Sequence, residues 1–178
     1  PGLGLREICK NDFSEILREF HGLLVIDADG LNRLALSGNG FRWLCDRNGP
    51  TWITPHSQEF ARLFPQLKEV PAFEAASKAA QMTGADVLLK GAHSIIASPN
   101  GSVWQISSSS PLVARAGLGD VLAGFVAGIG AVGISVEEKI DAELLAKAAY
   151  LHAQAGIFSR EGTVASSVSA FLQKLLHR

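Results

Sequence analysis

The sequence predicts an α/β domain built on a largely parallel β-sheet, and two observations carry that expectation. Short apolar runs bounded by turn residues recur along the chain, and stretches with helical spacing lie between them. The 178 residues are 47% hydrophobic with a formal net charge of −1. That is enough apolar material for one core of ordinary size, so a single domain over residues 1–178 is expected.

The first strand is Leu23 to Ile26, ending in the polar turn Asp27-Ala28-Asp29-Gly30. Trp52 and Ile53 form the second, ending in Thr54-Pro55-His56, after which Ser57 is placed to cap a helix with Phe60, Leu63 and Phe64 on one face. The third, Val87 to Leu89, ends in Lys90-Gly91. Ser94 to Ala97 and Val103 to Ile106 flank Ser98-Pro99-Asn100-Gly101, whose Asn-Gly marks the tight turn of a hairpin toward one sheet edge.

Downstream the pattern turns helical, with a helix from Asp120 to about Ile129. A second carries Leu144, Ala148, Leu151, Ala155 and Phe158 on one stripe, and a third Val168, Phe171, Leu175 and Leu176. His152 lies beside the second stripe and reads as structural. The uncharged stretch from Val121 to Val136 is shorter than the roughly 18 to 20 residues of a membrane span and reads as a buried helix with the loop after it. Its Gly124 and Gly128 would let that helix approach the sheet closely.

Composition excludes several classes of function. Lys and Arg (16) nearly balance Asp and Glu (17), with no run of like charge, so the basic stripe needed for nucleic acid is missing. Cys9 and Cys45 are far apart and outside any CxxC spacing, as expected of two buried free thiols in a reduced cytoplasmic chain. There is no GxxxxGK[ST] loop, no HExxH and no cysteine cluster, hence no dedicated metal motif. The chain opens on Pro1-Gly2-Leu3-Gly4 without Met or the regions of a signal peptide, so further residues are expected upstream.

Open α/β sheets bind ligands beyond the carboxyl ends of their strands. Asp27 and Asp29, His56 and Lys90 all fall at that expected edge. Singly each has an ordinary structural reading; jointly they mark a site. Ala116-Gly117-Leu118-Gly119-Asp120, leading straight into an apolar helix, is the strongest local feature. Glycines before a helix free the backbone to aim amides at an anion, and the helix dipole adds its attraction. Asp120 would then stand beside a docked phosphate, able to take a proton from an attacking hydroxyl. The same residues also describe an Asp capping a helix after a glycine turn, and on their own they leave both readings open.

Taken together, PGLG (Pro1 to Gly4), VIDADGLN (Val25 to Asn32), TPHSQEFARLFP (Thr54 to Pro65), VLLKGAHSIIASPNG (Val87 to Gly101) and SPLVARAGLGDVLAGFVAG (Ser110 to Gly128) resemble, in order and spacing, the NAD(P)H-hydrate dehydratase family. The resemblance implies a ribokinase-like three-layer αβα sandwich with a mostly parallel sheet. It also implies an activity in which ADP or ATP, with Mg²⁺, returns hydrated NADH or NADPH to the intact cofactor. It makes Asp120 the catalytic base and Gly117, Leu118 and Gly119 the phosphate cradle. Gly2, Gly4, His56 and Asp120 would contact the dinucleotide hydrate. Lys90, Gly91, Ala92, His93, Ser94 and Gly119 would line the adenine nucleotide's site, and Asp27 and Asn32 would shape the pocket. Family members carry roughly another hundred residues before the opening motif, within the size range of one domain, so this chain corresponds to the C-terminal two-thirds of the usual unit. They commonly form homo-oligomers. The alternatives are a small-molecule kinase of the same superfamily, of the hydroxymethylpyrimidine or thiazole type, and a nucleotide-binding fragment without catalysis.

Overall fold

The structure, a computed structural model, describes residues 2–4, 14–37, 40–107, 116–159 and 164–176. Pro1, Cys9 and the Ser110–Arg115 part of the fifth motif lie outside the described residues. Strand β1 (Leu24–Ile26), strand β2 (Thr51–Ile53) and strand β3 (Asp86–Leu89) lie side by side and parallel. Strands β4 (Ser94–Ala97) and β5 (Val103–Ile106) extend the sheet as the expected antiparallel hairpin, with β5 at the edge. Gly101, at φ 94°, closes that hairpin in a conformation other residues avoid.

The strands are continuous apolar runs because both faces of the sheet are covered. Ile26, Ile53, Val87, Leu89, Ile95 and Ala97 point into one core, where they meet helices α2 (Asp29–Leu36), α3 (Ser57–Leu63) and α4 (Ala72–Thr83). Trp52, Leu88, Ile96 and Ile106 point into the other, against α5 (Leu118–Ser135) and α6 (Ala142–Phe158). This alternation produces the three-layer αβα sandwich. A third cluster joins α6 to α7 (Val168–Leu176) and to the first turn of α5, through Ala155, Val168, Leu172, Leu118 and Val121. The short α1 (Ser14–Glu19) is tied to the segment before β1 and to β2 by Arg47. The Arg47 guanidinium donates to the carbonyls of Leu17 and Gly22 and to Thr51 Oγ1.

Several expectations need correction. Helix α5 begins two residues before Asp120 and continues six beyond Ile129, because Gly130 and Gly133 are interior helical positions that pack against neighbours. Gly130 faces Leu23 and the Trp52 ring, and Gly133 faces Ile140 and Leu144. Gly124 and Gly128, expected to touch the sheet, have nothing within 4 Å of where a Cβ would lie. By length and composition alone α5 could cross a membrane, but in this fold its inner face packs on β1 and α6. The cap of α3 is His56 rather than Ser57. Cys45 is exposed, not buried. Phe158 and Leu176, placed on buried stripes by their spacing, are exposed at the last turns of their helices.

Candidate active site

The three parallel strands deliver their polar ends to one edge. Asp27 directly follows β1, Lys90 directly follows β3, and His56, just beyond β2, pairs with Lys90 through a parallel bridge. Lys90 Nζ donates to Asp27 Oδ1 at 2.7 Å. The Asp27 carboxylate is almost wholly buried and the Lys90 side chain mostly so. A carboxylate removed from water needs such a partner. Lys90 therefore serves first as the counter-charge of Asp27. Ala28, at φ 48° and ψ −115°, bends the chain sharply after Asp27. A non-glycine residue held there is strained, and strain of this kind gathers at working sites. The bend lets Asp27 reach Lys90 while Asp29, two residues on, reaches the opening motif.

The first turn of α5 meets this ion pair. Gly117 is the N-cap at φ 83°, and Leu118, Gly119 and Asp120 are the first three helical residues. A Cβ at position 119 would lie 3.6 Å from Lys90 Nζ and 4.0 Å from Asp27 Oδ2. Three motifs far apart in sequence thus share one location: the ends of β1 and β3 and the amino end of α5. An ammonium group, helix amides with no intrahelical acceptor and a favourable helix dipole converge there, the makings of a phosphate site. Asp120 is exposed beside them.

The outer residues are placed less uniformly. Gly2 and Gly4 both adopt positive φ, at 77° and 65°. The Gly4 amide donates to Asp29 Oδ2 at 2.8 Å, while Arg33 Nε and Nη2 donate to the carbonyls of Gly4 and Leu3. The opening motif is thereby clamped to the start of α2, at the same sheet edge as Asp27. His56 is occupied by its helix: Nδ1 accepts from the amides of Gln58 and Glu59, and Nε2 lies 3.2 Å from Glu59 Oε1. Nε2 must therefore carry the ring proton, with 45% of the side chain still exposed. Asn32 Oδ1 accepts from Arg62 on α3. Gly91, Ala92 and His93 form an exposed turn closed by the Ser94 hydroxyl, which bonds both the amide and the carbonyl of Gly91.

Sequence reasoning missed the supporting residues Arg33, Glu59 and Arg62. Glu59 alone had a legible signal, since a capping residue followed three positions later by Glu is the spacing of a capping box. Among the described residues no group of three His, Cys, Asp or Glu side chains could hold a metal. Asp27, near position 119, and Asp120, within the α5 turn, are hard oxygen donors suited to sharing a Mg²⁺ that arrives with phosphate oxygens and water.

Residues 1–176 match the model of the family described as NAD(P)H-hydrate dehydratase. The chain is 42% identical over 174 residues to a bifunctional NAD(P)H-hydrate repair enzyme from Synechocystis sp., covering 96% of this chain and 31% of that protein. A bifunctional NAD(P)H-hydrate repair enzyme from Methanopyrus kandleri is 30% identical over 186 residues, covering 99% and 34%. The chain thus spans about a third of the length of these two relatives. The crystal structure of an ADP/ATP-dependent NAD(P)H-hydrate dehydratase from Bacillus subtilis, co-crystallised with ATP and Mg²⁺, is similar at a TM-score of 0.67 and 25% identity, over 88% of this chain and 55% of that one. A ribokinase-like superfamily protein from Enterococcus faecalis V583 shares the fold at a TM-score of 0.74 and 24% identity, over 99% of this chain and 61% of that one.

Proposed function

The chain belongs to the NAD(P)H-hydrate dehydratase family, and from that premise we propose that it carries the nucleotide-cleaving half of NADH and NADPH repair, with Asp120 as the base. The observation that carries the reading is the meeting of Gly119 with the Lys90–Asp27 pair, within 3.6 and 4.0 Å of a Cβ position at residue 119. A nucleotide whose terminal phosphate docks there has the α5 amides at its oxygens and Lys90 as a cation. The Lys90–Ser94 turn runs alongside and would hold the rest of the nucleotide. The hydrate would lie against the clamped glycines of residues 2–4 and the exposed side of His56, with Asp27 and Asn32 shaping the space between.

In this arrangement Asp120 accepts the proton of the hydrate's hydroxyl as its oxygen attacks the terminal phosphorus, and the shortened nucleotide leaves. The hydroxyl, now a phosphate ester, departs as inorganic phosphate. Loss of the neighbouring ring proton restores the double bond. Mg²⁺, when bound, would be shared by the nucleotide's phosphates with Asp27 or Asp120 and would neutralise the charge developing during transfer. Both substrates are soluble metabolites, which goes with a cytoplasmic location.

The test is direct. The purified chain is incubated with hydrated NADH, Mg²⁺ and either ADP or ATP, and the return of NADH absorbance is followed together with inorganic phosphate. Both signals are expected with at least one nucleotide. A product that keeps the phosphate would replace this reading with a small-molecule kinase, and neither signal with either nucleotide would overturn it for this chain.

A further inference from the structure

A hydroxyl at the same sheet edge stands without a partner. Thr54 directly follows β2 and is wholly buried, and among the described residues its Oγ1 makes no hydrogen bond. Buried hydroxyls in folded proteins nearly always find a partner, because an unmet one forfeits the bond it made to water. Valine has the same shape and would bury no such group, so packing alone gives no reason for threonine here.

The register of the sheet says where that hydroxyl lies. The strands stay in line beyond the end of β2: the Thr54 amide donates to the Ile26 carbonyl, and the Lys90 amide to that of Pro55. Ile26 is level with Ile53, so Asp27 is level with Thr54. Side chains alternate along a strand, which puts Thr54 on the face of Trp52, the one covered by α5 and α6. Gly119 of α5 meets Lys90 and Asp27 there. Because β2 lies between β1 and β3, the Lys90–Asp27 pair spans β2, and Thr54 is the buried side chain of β2 at the level of Asp27. Adjacent strands run about 4.8 Å apart, a gap that rotation about the Thr54 Cα–Cβ bond can close between a hydroxyl and a carboxylate on one face. A phosphate docked at the first turn of α5 competes for Lys90. As the ammonium turns toward it, the buried Asp27 carboxylate loses its partner, which is costly unless another donor stands ready.

We propose that Thr54 is a positioning residue, whose hydroxyl takes over Asp27 as the Lys90 ammonium turns to a docked phosphate. The inference rests on the reading of the α5 turn as a phosphate site and not on the dehydration that follows. Calorimetric titration with ATP or ADP, whichever the wild type binds, in the presence of Mg²⁺ tests it. Thr54→Val should melt no lower than wild type, since the free protein loses no bond, yet bind the nucleotide roughly tenfold more weakly, the scale of a hydrogen bond to a charged group. Thr54→Ser keeps the hydroxyl and should bind within about threefold of wild type. With Asp27→Asn already in place, the valine substitution should change affinity by less than about threefold, because a neutral amide needs no replacement partner. Undiminished affinity in Thr54→Val, or the same loss with Asp27→Asn as without it, would overturn the proposal. Should the valine variant not fold, Thr54→Ser and Thr54→Ala decide instead. Both lack the methyl and only alanine lacks the hydroxyl, so a gap of roughly tenfold between them supports the role and equal affinity removes it. Binding is read without turnover: a wild type that binds nucleotide but restores no NADH would remove the dehydratase reading and leave this test standing, while one that binds neither nucleotide removes both.

Discussion

Gly119 and Lys90 are where single side chains say most about the site. A methyl group at 119 would meet Lys90 Nζ and Asp27 Oδ2 at 3.6 and 4.0 Å, ordinary contact distances. Alanine also suits a helix better than glycine by about 1 kcal/mol. Gly119→Ala should therefore melt no lower than wild type, yet lose turnover by roughly tenfold or more, because the methyl occupies the space between the turn and the ion pair where a phosphate would dock. A melting curve beside a turnover assay checks this. Lys90→Met acts differently, leaving the buried Asp27 carboxylate without its partner. A loss of about 2–4 kcal/mol in urea unfolding is expected, with most of it regained when Asp27→Asn is added. Among the proposed site residues, Asp27, His56, Lys90 and the Gly117–Asp120 turn were legible because each stands at a strand end or a glycine-led helix start, and such positions can be read along the chain. That Lys90 is committed to Asp27, and His56 to Glu59, was not legible, since pairing depends on distances across the fold.

At the scale of elements, both-face burial explains which segments the sequence revealed. Strands β2 to β4 were legible to within a residue as short apolar runs, because Trp52 and Ile53, or Leu88 and Leu89, serve opposite cores. The limits of α5 were not, because glycine carries two meanings. At 117 it is the left-handed cap, whereas at 130 and 133 it is a helical residue made small by what it packs against. Close packing also governs Gly49, in the turn before β2. A Cβ there would lie 2.6 Å from the carbonyl oxygen of His21 and 2.8 Å from that of Gly22, and backbone cannot step aside. Gly49→Ala should cost about 2–3 kcal/mol and lower the melting temperature, whereas a wild-type melting curve would show that this turn has room to move.

For the whole molecule, two buried groups couple stability to pH in opposite senses. Asp86 opens β3 at the end of the strand away from Lys90, and burial raises its pKa from 3.8 to about 6 against hydrogen bonds from Ser98 and Trp52. A raised carboxyl pKa means that the fold favours the protonated form, so this contribution is complete below about pH 4 and is lost as the pH rises through about 6. His152 is the reverse, its contribution complete above pH 6.5 and lost as the pH falls toward about 4. Each displacement is worth on the order of 3 kcal/mol. Over pH 4 to 6 the two trends oppose, and removing one exposes the other. Asp86→Asn should gain on wild type at pH 7 and lose that advantage as the pH falls to 4, by urea unfolding across the range; parallel curves for the two proteins would contradict the assignment.

The three-layer arrangement was legible from the order of apolar runs, since covering both sheet faces is the general solution for such a sequence. The support beneath the site was not, because Leu118 on α5 meets Ala155 on α6 and Val168 on α7 only across the fold, and nothing along the chain joins them. The central claim is that Asp120, held at the first turn of α5 beside Lys90 and Asp27, is the base for phosphoryl transfer. Its most direct measurement is the single-turnover return of NADH absorbance from the hydrate at saturating nucleotide and Mg²⁺, for wild type and Asp120→Asn, with nucleotide affinity measured alongside. Loss of a base in direct contact should slow the reaction by about 10²–10⁴-fold while the nucleotide dissociation constant stays within about threefold. An asparagine variant that turned over at more than about a tenth of the wild-type rate would contradict the assignment, because a general base cannot be removed so cheaply.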